Sequence, residues 1–217
     1  MSQSAVTQIS CPSCGHDQDF TLWNSINVGL DPDKKSALKN GSLTRFTCAK
    51  CAHETDVNYP ILYHDPAHAF MVWLHVGEGE VDTDTLPGGE VLEGYHLRVV
   101  ASRNALIEKT HVLEQGLDDR VMELFKALMR RDHNNVPEGE LLFAGTGTGQ
   151  QDVEELQFAV VAAGGTQFIG ATRKAYDDYA AVLTRVADAE PLEVGKWYAV
   201  DQAYARQLIA RHLPEAG

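Results

Sequence analysis

The sequence lacks any long run of apolar residues. Its longest apolar stretches, residues 69–74 and 158–163, are far shorter than the roughly 20 residues that a membrane-spanning helix requires. The first ten residues, MSQSAVTQIS, also lack the positive charge and the apolar core of a secretory signal. We therefore expect a cytoplasmic protein that does not interact with membranes.

Basic residues are scarce as well. The chain has 18 Lys and Arg residues against 31 Asp and Glu residues, which gives a net charge of −13. A general nucleic-acid binder needs clustered Lys and Arg side chains for its phosphate contacts, so we expect no nucleic-acid partner. The composition is otherwise that of a globular protein, and 217 residues allow one large domain or two small ones.

The residue patterns that usually identify a catalytic site are missing too. No serine lies in a Gly-x-Ser-x-Gly elbow, and no nucleophile stands at a recognisable spacing from a base. The glycine-rich run GTGTG at residues 145–149 leads toward a predicted strand and is not followed by Gly-Lys-Ser or Gly-Lys-Thr. A phosphate-binding loop needs a helix directly after its glycines, so this run predicts a turn.

Cysteine is also rare, but its pattern is informative. The four cysteines form two Cys-x-x-Cys pairs, Cys11 with Cys14 and Cys48 with Cys51, separated by 33 residues. Two such pairs on tight turns can complete a tetrahedral shell of four thiolates around one Zn²⁺ ion. That shell has no open position for a substrate or a water molecule, so the predicted role is structural. Iron and dithiol redox chemistry are the alternatives, although a redox motif normally opens a helix.

Residues beside the cysteines support two metal-binding knuckles. Pro12 restricts the backbone of the first loop, and Gly15 can adopt the left-handed conformation that often follows the second cysteine. The second knuckle has Ala52 at the matching position, which predicts strain or a different geometry there. His16 and His53 also match in position and are alternative ligands, but four thiols already suffice for the metal.

Two further groups of polar residues permit a catalytic and a structural interpretation. His64 and His68 in YHDPAH offer ligands to a second metal, but Pro66 breaks any helix that would align them, which favours ordinary surface or capping roles. Asp118 and Asp119 could serve a hydrolytic metal. Their place at the start of a predicted helix favours interaction with the helix dipole instead.

The N-terminal part resembles the CpXC family of bacterial and archaeal proteins, which is named for two Cys-x-x-Cys motifs. The segments that carry the resemblance are ISCPSCGH (9–16), SINVGLDPDKKSALKNGSLTRFTCAKC (25–51), NYPILYHD (58–65), LIEK (106–109) and GLDDRVMELFK (116–126). The family is functionally uncharacterised, so the resemblance implies a domain and four probable metal ligands, and it implies no catalytic residue. Beyond residue 134 no resemblance is evident.

The pattern along the chain predicts an α+β fold. A zinc ribbon within residues 9–58 is expected inside a CpXC-like domain at 9–132, and a smaller mixed α+β region is expected at 139–217. The amphipathic repeat of residues 117–128 predicts a helix, and the turn-forming residues 131–139 are the best candidate linker. The acidic, glycine-containing segment 78–94 predicts a surface loop.

Three functions agree with these observations. The first is a non-enzymatic, zinc-stabilised binding or scaffold module with a protein partner. The second is a hydrolase whose acidic and histidine residues are too dispersed to recognise, and the third is a thiol-based redox or zinc-release sensor. A flat exposed apolar patch would favour the first function, whereas a buried carboxylate with a raised pKa in a deep pocket would favour the second.

Overall fold

The computed structural model describes residues 2–77, 83, 86, 92–133, 135–149 and 152–213. Over these residues it has mixed sheets and helices, which confirms the predicted α+β class. Most of the predicted acidic loop at 78–94 lies outside the described residues.

The first and largest sheet has five strands in the order β1-β2-β5-β6-β7. Its strands are β1 (Gln3–Ser10), β2 (Asp17–Asn27), β5 (Ile61–Asp65), β6 (Phe70–Leu74) and β7 (His96–Val100). The β2–β5 and β6–β7 pairs are parallel, and the other two pairs are antiparallel. Helices α1 (Pro32–Lys39) and α2 (Arg103–Glu114) bury Leu38 and Leu106 in the core beside this sheet.

A two-stranded antiparallel ribbon stands next to the β1–β2 hairpin. It consists of β3 (Arg45–Thr47) and β4 (Glu54–Asp56). The aromatic ring of Phe46 on β3 is buried, and its centroid lies 6.2 Å from that of Phe20 on β2. This contact helps to bring the turns of the β1–β2 and β3–β4 hairpins together.

The C-terminal part forms a second core. Its antiparallel sheet has the order β10-β9-β8 and contains β8 (Glu140–Thr148), β9 (Glu154–Ala162) and β10 (Gly165–Thr172). Helices α3 (Asp119–Asp132), α4 (Arg173–Asp188) and α5 (Gln202–His212) pack with it. Helix α3 confirms the helix that the apolar stripe of residues 117–128 predicted, and its Leu124 and Phe125 lie in this second core.

Several contacts connect the two parts of the chain. Tyr198 forms an isolated parallel bridge with Arg98 on the edge strand β7. Arg130 near the end of α3 donates hydrogen bonds to the carbonyls of Pro137 and Gly139, which lie in the predicted linker. The division into domains at 9–132 and 139–217 therefore stays a prediction, with α3 contributing to the C-terminal core.

The structure decides one ambiguous element and corrects another. Residues 105–114 have helical propensity but alternate like a strand, so the sequence left them ambiguous. The structure shows a helix there, and the Ser102 hydroxyl caps it by accepting a hydrogen bond from the Ala105 amide. The GTGTG run is not a turn over its whole length, because residues 145–148 continue β8 and pair with β9. A Cβ atom at Gly147 would lie 2.5 Å from the Gln157 side chain, so the glycine permits this close approach.

Candidate metal centre

The first Cys-x-x-Cys pair occupies the turn that joins β1 to β2. The Cys11 amide donates a hydrogen bond of 2.9 Å to the His16 carbonyl, and the Gly15 amide donates one of 2.9 Å to the Cys11 carbonyl. The hairpin register places Ser10 opposite Asp17, so the strands begin immediately outside this turn. The turn therefore presents both thiols from one short, internally hydrogen-bonded loop.

The second pair repeats this geometry in the turn that joins β3 to β4. The Cys48 amide donates to the His53 carbonyl at 2.9 Å, and the Ala52 amide donates to the Cys48 carbonyl at 2.9 Å. Ala52 has a φ of 56°, so it adopts the left-handed conformation without being glycine. Of the two outcomes predicted for this position, the structure shows strain and not a different geometry.

The four sulfur atoms form one compact group. The Sγ atoms of Cys11 and Cys51 are 3.7 Å apart, as are those of Cys14 and Cys48, and all four lie within 4.8 Å of one another. A tetrahedral Zn²⁺ site with Zn–S bonds of about 2.3 Å has sulfur–sulfur edges of about 3.8 Å, whereas a disulfide bond measures about 2.05 Å. The four cysteines are thus positioned to hold a metal ion.

The surroundings of the thiols fix their relative positions. Cys11 and Cys48 are buried against Phe46, whereas Cys14 and Cys51 are exposed. The Gln18 amide group links the two hairpins, because it donates to the Thr47 carbonyl at 3.0 Å and accepts from the Ala49 amide at 2.7 Å. The metal-binding loops are therefore held together by side chains as well as by any ion.

The thiols differ in acidity. Burial disfavours the Cys48 thiolate, but hydrogen bonds from the backbone amides of Cys51 and Lys50 and from neighbouring thiols outweigh it and lower the pKa of Cys48 to about 6. For Cys14 the His16 amide lowers the pKa, yet desolvation and the three other thiols raise it to about 12. A bound cation would remove this difference in acidity, since it stabilises all four thiolates together.

The histidines predicted as secondary candidates have other contacts. His16 and His53 contribute backbone carbonyls to the knuckles, and the one group of metal-ligating side chains found within the described residues contains the four cysteines alone. His68 Nδ1 donates a hydrogen bond of 2.9 Å to Asp65 Oδ2, and His64 Nε2 lies 3.3 Å from the Tyr95 hydroxyl. The structural interpretation of the histidines at residues 64–68 agrees with these contacts.

The paired aspartates divide between two roles. Asp118 caps α3 by accepting a hydrogen bond from the Arg120 amide, as predicted. Asp119 is fully buried and accepts two hydrogen bonds from Arg98, at 2.8 and 2.9 Å. The helix-dipole interpretation of Asp119 is therefore incomplete, because its main partner is a buried guanidinium.

Asp119 belongs to a buried charged cluster that the sequence pattern did not predict. Its six members are each 4% exposed or less: Arg98, Glu108, Lys109, Asp119, Glu123 and Lys126. A signal was present, since residues 119, 123 and 126 recur at the spacing of one helix face. Charged side chains at such positions normally indicate a solvated face, which is why this pattern gave no prediction of burial.

Comparisons with known proteins give one family. Residues 9–126, more than half of the chain, match the CpXC protein family. No curated protein and no solved structure matches the chain. In addition, no helix among the described residues is both long enough and apolar enough to cross a membrane.

Proposed function

The chain belongs to the CpXC protein family, and we propose that it is a non-enzymatic binding or scaffold module stabilised by one structural Zn²⁺ ion. Cys11, Cys14, Cys48 and Cys51 are the proposed ligands. The observation that carries the proposal is the compact group of four sulfur atoms, in which two pairs are 3.7 Å apart and all four lie within 4.8 Å of one another. Four protein thiolates complete the tetrahedral shell, which leaves no coordination position for catalysis.

Zinc is the metal that best suits this donor set. Four thiolates with Zn²⁺ form a cluster of charge −2, and the backbone amides of the knuckles stabilise that charge by donating to sulfur. The bound ion would cross-link the β1–β2 and β3–β4 turns, which lie far apart in sequence. Its proposed role is therefore to hold the ribbon, and with it the adjoining five-stranded sheet, in one conformation.

We further propose a protein partner and a cytoplasmic location, without nucleic-acid or membrane binding. The net charge of −13 supports the exclusion of nucleic acid. Phe168, which is 71% exposed on the edge strand β10, supports contact with another protein, because a large aromatic side chain on a strand edge favours association.

Elemental analysis tests the metal assignment. Protein purified without added metal should contain about one zinc ion per chain. The variant Cys48→Ser should lose the metal, whereas Ala49→Ser, which places a similar hydroxyl beside the site, should retain it. Cys48→Ser should also loosen residues 9–58 in hydrogen exchange and leave the amides of the C-terminal sheet protected.

Three results would contradict the proposal. Negligible zinc together with a reversible disulfide between Cys11 and Cys14 would favour the redox-sensor alternative. Full iron content would identify iron, instead of zinc, as the metal. Full metal content in Cys48→Ser would mean that His16 or His53 completes the shell.

The hydrolase alternative retains one specific observation in its favour. Glu108 is 4% exposed, lies on the wall of a large cavity, and has a pKa raised by burial. Its Oε1 atom, however, already accepts hydrogen bonds from Lys126 and from the Phe143 amide, both at 2.6 Å. Hydrolysis of p-nitrophenyl acetate that is abolished in Glu108→Gln would favour an enzyme, and a rate equal to that of the buffer would favour the binding module.

A further inference from the structure

The buried charged cluster is electrically balanced and continuous. Lys126 Nζ lies 2.6 Å from Glu108 Oε1 and 2.9 Å from Glu123 Oε1. Lys109 Nζ lies 3.2 Å from both Glu123 and Asp119. Asp119 in turn forms an ion pair with Arg98. Three cations thus compensate three carboxylates, and the net charge of the cluster is zero.

Stability alone is a weak reason for such a cluster. Removing ions from water costs so much that well-packed apolar residues of similar size often stabilise a core at least as well as a buried salt bridge. The location of the cluster suggests a different reason. Four of its members, Glu108, Lys109, Glu123 and Lys126, line a cavity of about 750 Å³.

The cavity lies between the family-matched part of the chain and the remainder. Its charged wall comes from α2 and α3, within residues 9–126. The opposite wall comes from β8 and from residues 199–206. It combines the apolar side chains of Leu141, Leu142 and Val200 with the exposed charged residues Glu140, Asp201 and Arg206. A cavity of several hundred Å³ with apolar walls and a few convergent polar groups is typical of sites for small molecules.

One buried polar atom of a residue in this wall has no partner. Glu123 Oε2 is buried and makes no hydrogen bond within the part of the chain that the structure describes, whereas its Oε1 atom faces the two lysines. Lys126 Nζ makes two such contacts, so one of its three N–H groups remains for another acceptor. An incoming group that both donates and accepts would therefore complete this site.

We propose that this cavity binds a neutral small molecule with a carboxamide or hydroxyl group next to an apolar body. The polar group would donate to Glu123 Oε2 and accept from Lys126. The apolar body would contact Leu141, Leu142 and Val200. Neutrality follows from the balance of the cluster, because a charged ligand would leave one buried charge uncompensated. This inference does not depend on the metal centre.

Three probes with nearly the same apolar chain test the proposal: pentanamide, pentanoate and n-pentylammonium. Each is titrated into the full-length, ¹⁵N-labelled protein, and amide chemical shifts are followed. Pentanamide should bind saturably, with shifts concentrated at Lys109, Lys126 and Leu142. The two charged probes should bind at least about tenfold more weakly, since burial of an unpaired charge is unfavourable.

Variants locate the site and test the charge balance. Glu123→Gln leaves one cation uncompensated, so it should weaken pentanamide binding and move the preference toward pentanoate. Ala203→Trp adds bulk to the cavity wall at an exposed helical position and should abolish binding. This variant tests the location of the site even if Glu123→Gln fails to fold. The exposed control Glu193→Gln should bind pentanamide as the wild type does.

The proposal is overturned by any of three results. These are no saturable binding of pentanamide, charged probes that bind as tightly as pentanamide, or normal binding of pentanamide to Ala203→Trp. The two proposals fail by different measurements. The metal proposal depends on the zinc content of the wild type and of Cys48→Ser, whereas the cavity proposal depends on pentanamide binding.

Discussion

Gly15 and Ala52 occupy equivalent positions in the two knuckles and share the same left-handed backbone, with φ values of 68° and 56°. Each amide donates a 2.9 Å hydrogen bond to the carbonyl of the first cysteine in its pair. The left-handed conformation carries little penalty for glycine but costs an alanine about 1 kcal/mol or more. The second knuckle is therefore built with strain that the first avoids.

Exchanging these two residue types should change stability in opposite directions. Ala52→Gly should raise the free energy of unfolding by about 0.5–1 kcal/mol, and Gly15→Ala should lower it by about 1 kcal/mol. No atom lies within 4 Å of a Cβ placed at Gly15, so the second effect arises in the backbone. Urea unfolding of the metal-loaded proteins measures both changes. A stabilised Gly15→Ala variant would show that this backbone conformation carries no strain.

Gln18 should stabilise the arrangement of the two hairpins. Gln18→Ala removes the hydrogen bonds to Thr47 and Ala49 and should cost about 1–2 kcal/mol, together with faster loss of metal to a chelator. Gln8→Ala, on the exposed part of β1, is the matched control and should do neither. Equal rates of metal loss in both variants would mean that the ion alone aligns the knuckles.

Asp119 should make the unfolding free energy depend on pH. Although burial opposes its ionisation, Arg98 and Lys109 hold the pKa of Asp119 well below its usual range. Its contribution is then complete above the unfolded-state pKa of about 4 and declines as the pH falls below that value. Asp119→Asn should cost about 3–5 kcal/mol at pH 7, because it leaves buried cations uncompensated.

Urea unfolding at pH 7, 5 and 3 measures this dependence. The difference between the wild type and Asp119→Asn should be constant from pH 7 to 5 and smaller at pH 3. The exposed i,i+4 partner Asp178 gives the control Asp178→Asn, with a loss below about 0.5 kcal/mol. A difference that does not shrink at pH 3 would show that the Asp119 carboxylate is not the titrating group.

Limited proteolysis should test the predicted boundary near residue 135. Arg130 anchors two carbonyls of the segment 131–139 to α3, so Arg130→Ala should expose this segment and speed its cleavage several-fold over the wild type. Lys174→Ala on the exposed face of α4 should be cleaved at the wild-type rate. Identical resistance of Arg130→Ala and the wild type would indicate one inseparable domain.

Heparin chromatography tests the expected absence of nucleic-acid binding. At physiological salt the protein should not be retained on heparin or on immobilised duplex DNA, because phosphate contacts need several Lys or Arg side chains in one patch. Salt-sensitive retention would contradict this expectation and would imply a basic surface that the net charge conceals.

Sequence alone determined the candidate metal centre, because its chemistry is local. Each Cys-x-x-Cys pair fits within one turn, so the spacing specified two chelating loops before any tertiary contact was known. The apolar periodicity of residues 117–128 likewise specified α3, since a helix buries one stripe of its surface. By contrast, residues 105–114 satisfied helix and strand patterns equally, and their packing against the sheet decided the outcome.

Only the tertiary structure decided the buried charged cluster and its cavity. Arg98, Glu108 and Asp119 lie on three different elements, and nothing in their separate sequence positions shows that they meet. A charged side chain tolerates burial only when a partner of opposite sign lies beside it, and that partner is supplied by the packing of β7, α2 and α3. The metal ligands could be identified from spacing within short turns, whereas the cluster exists because distant segments neutralise one another on folding.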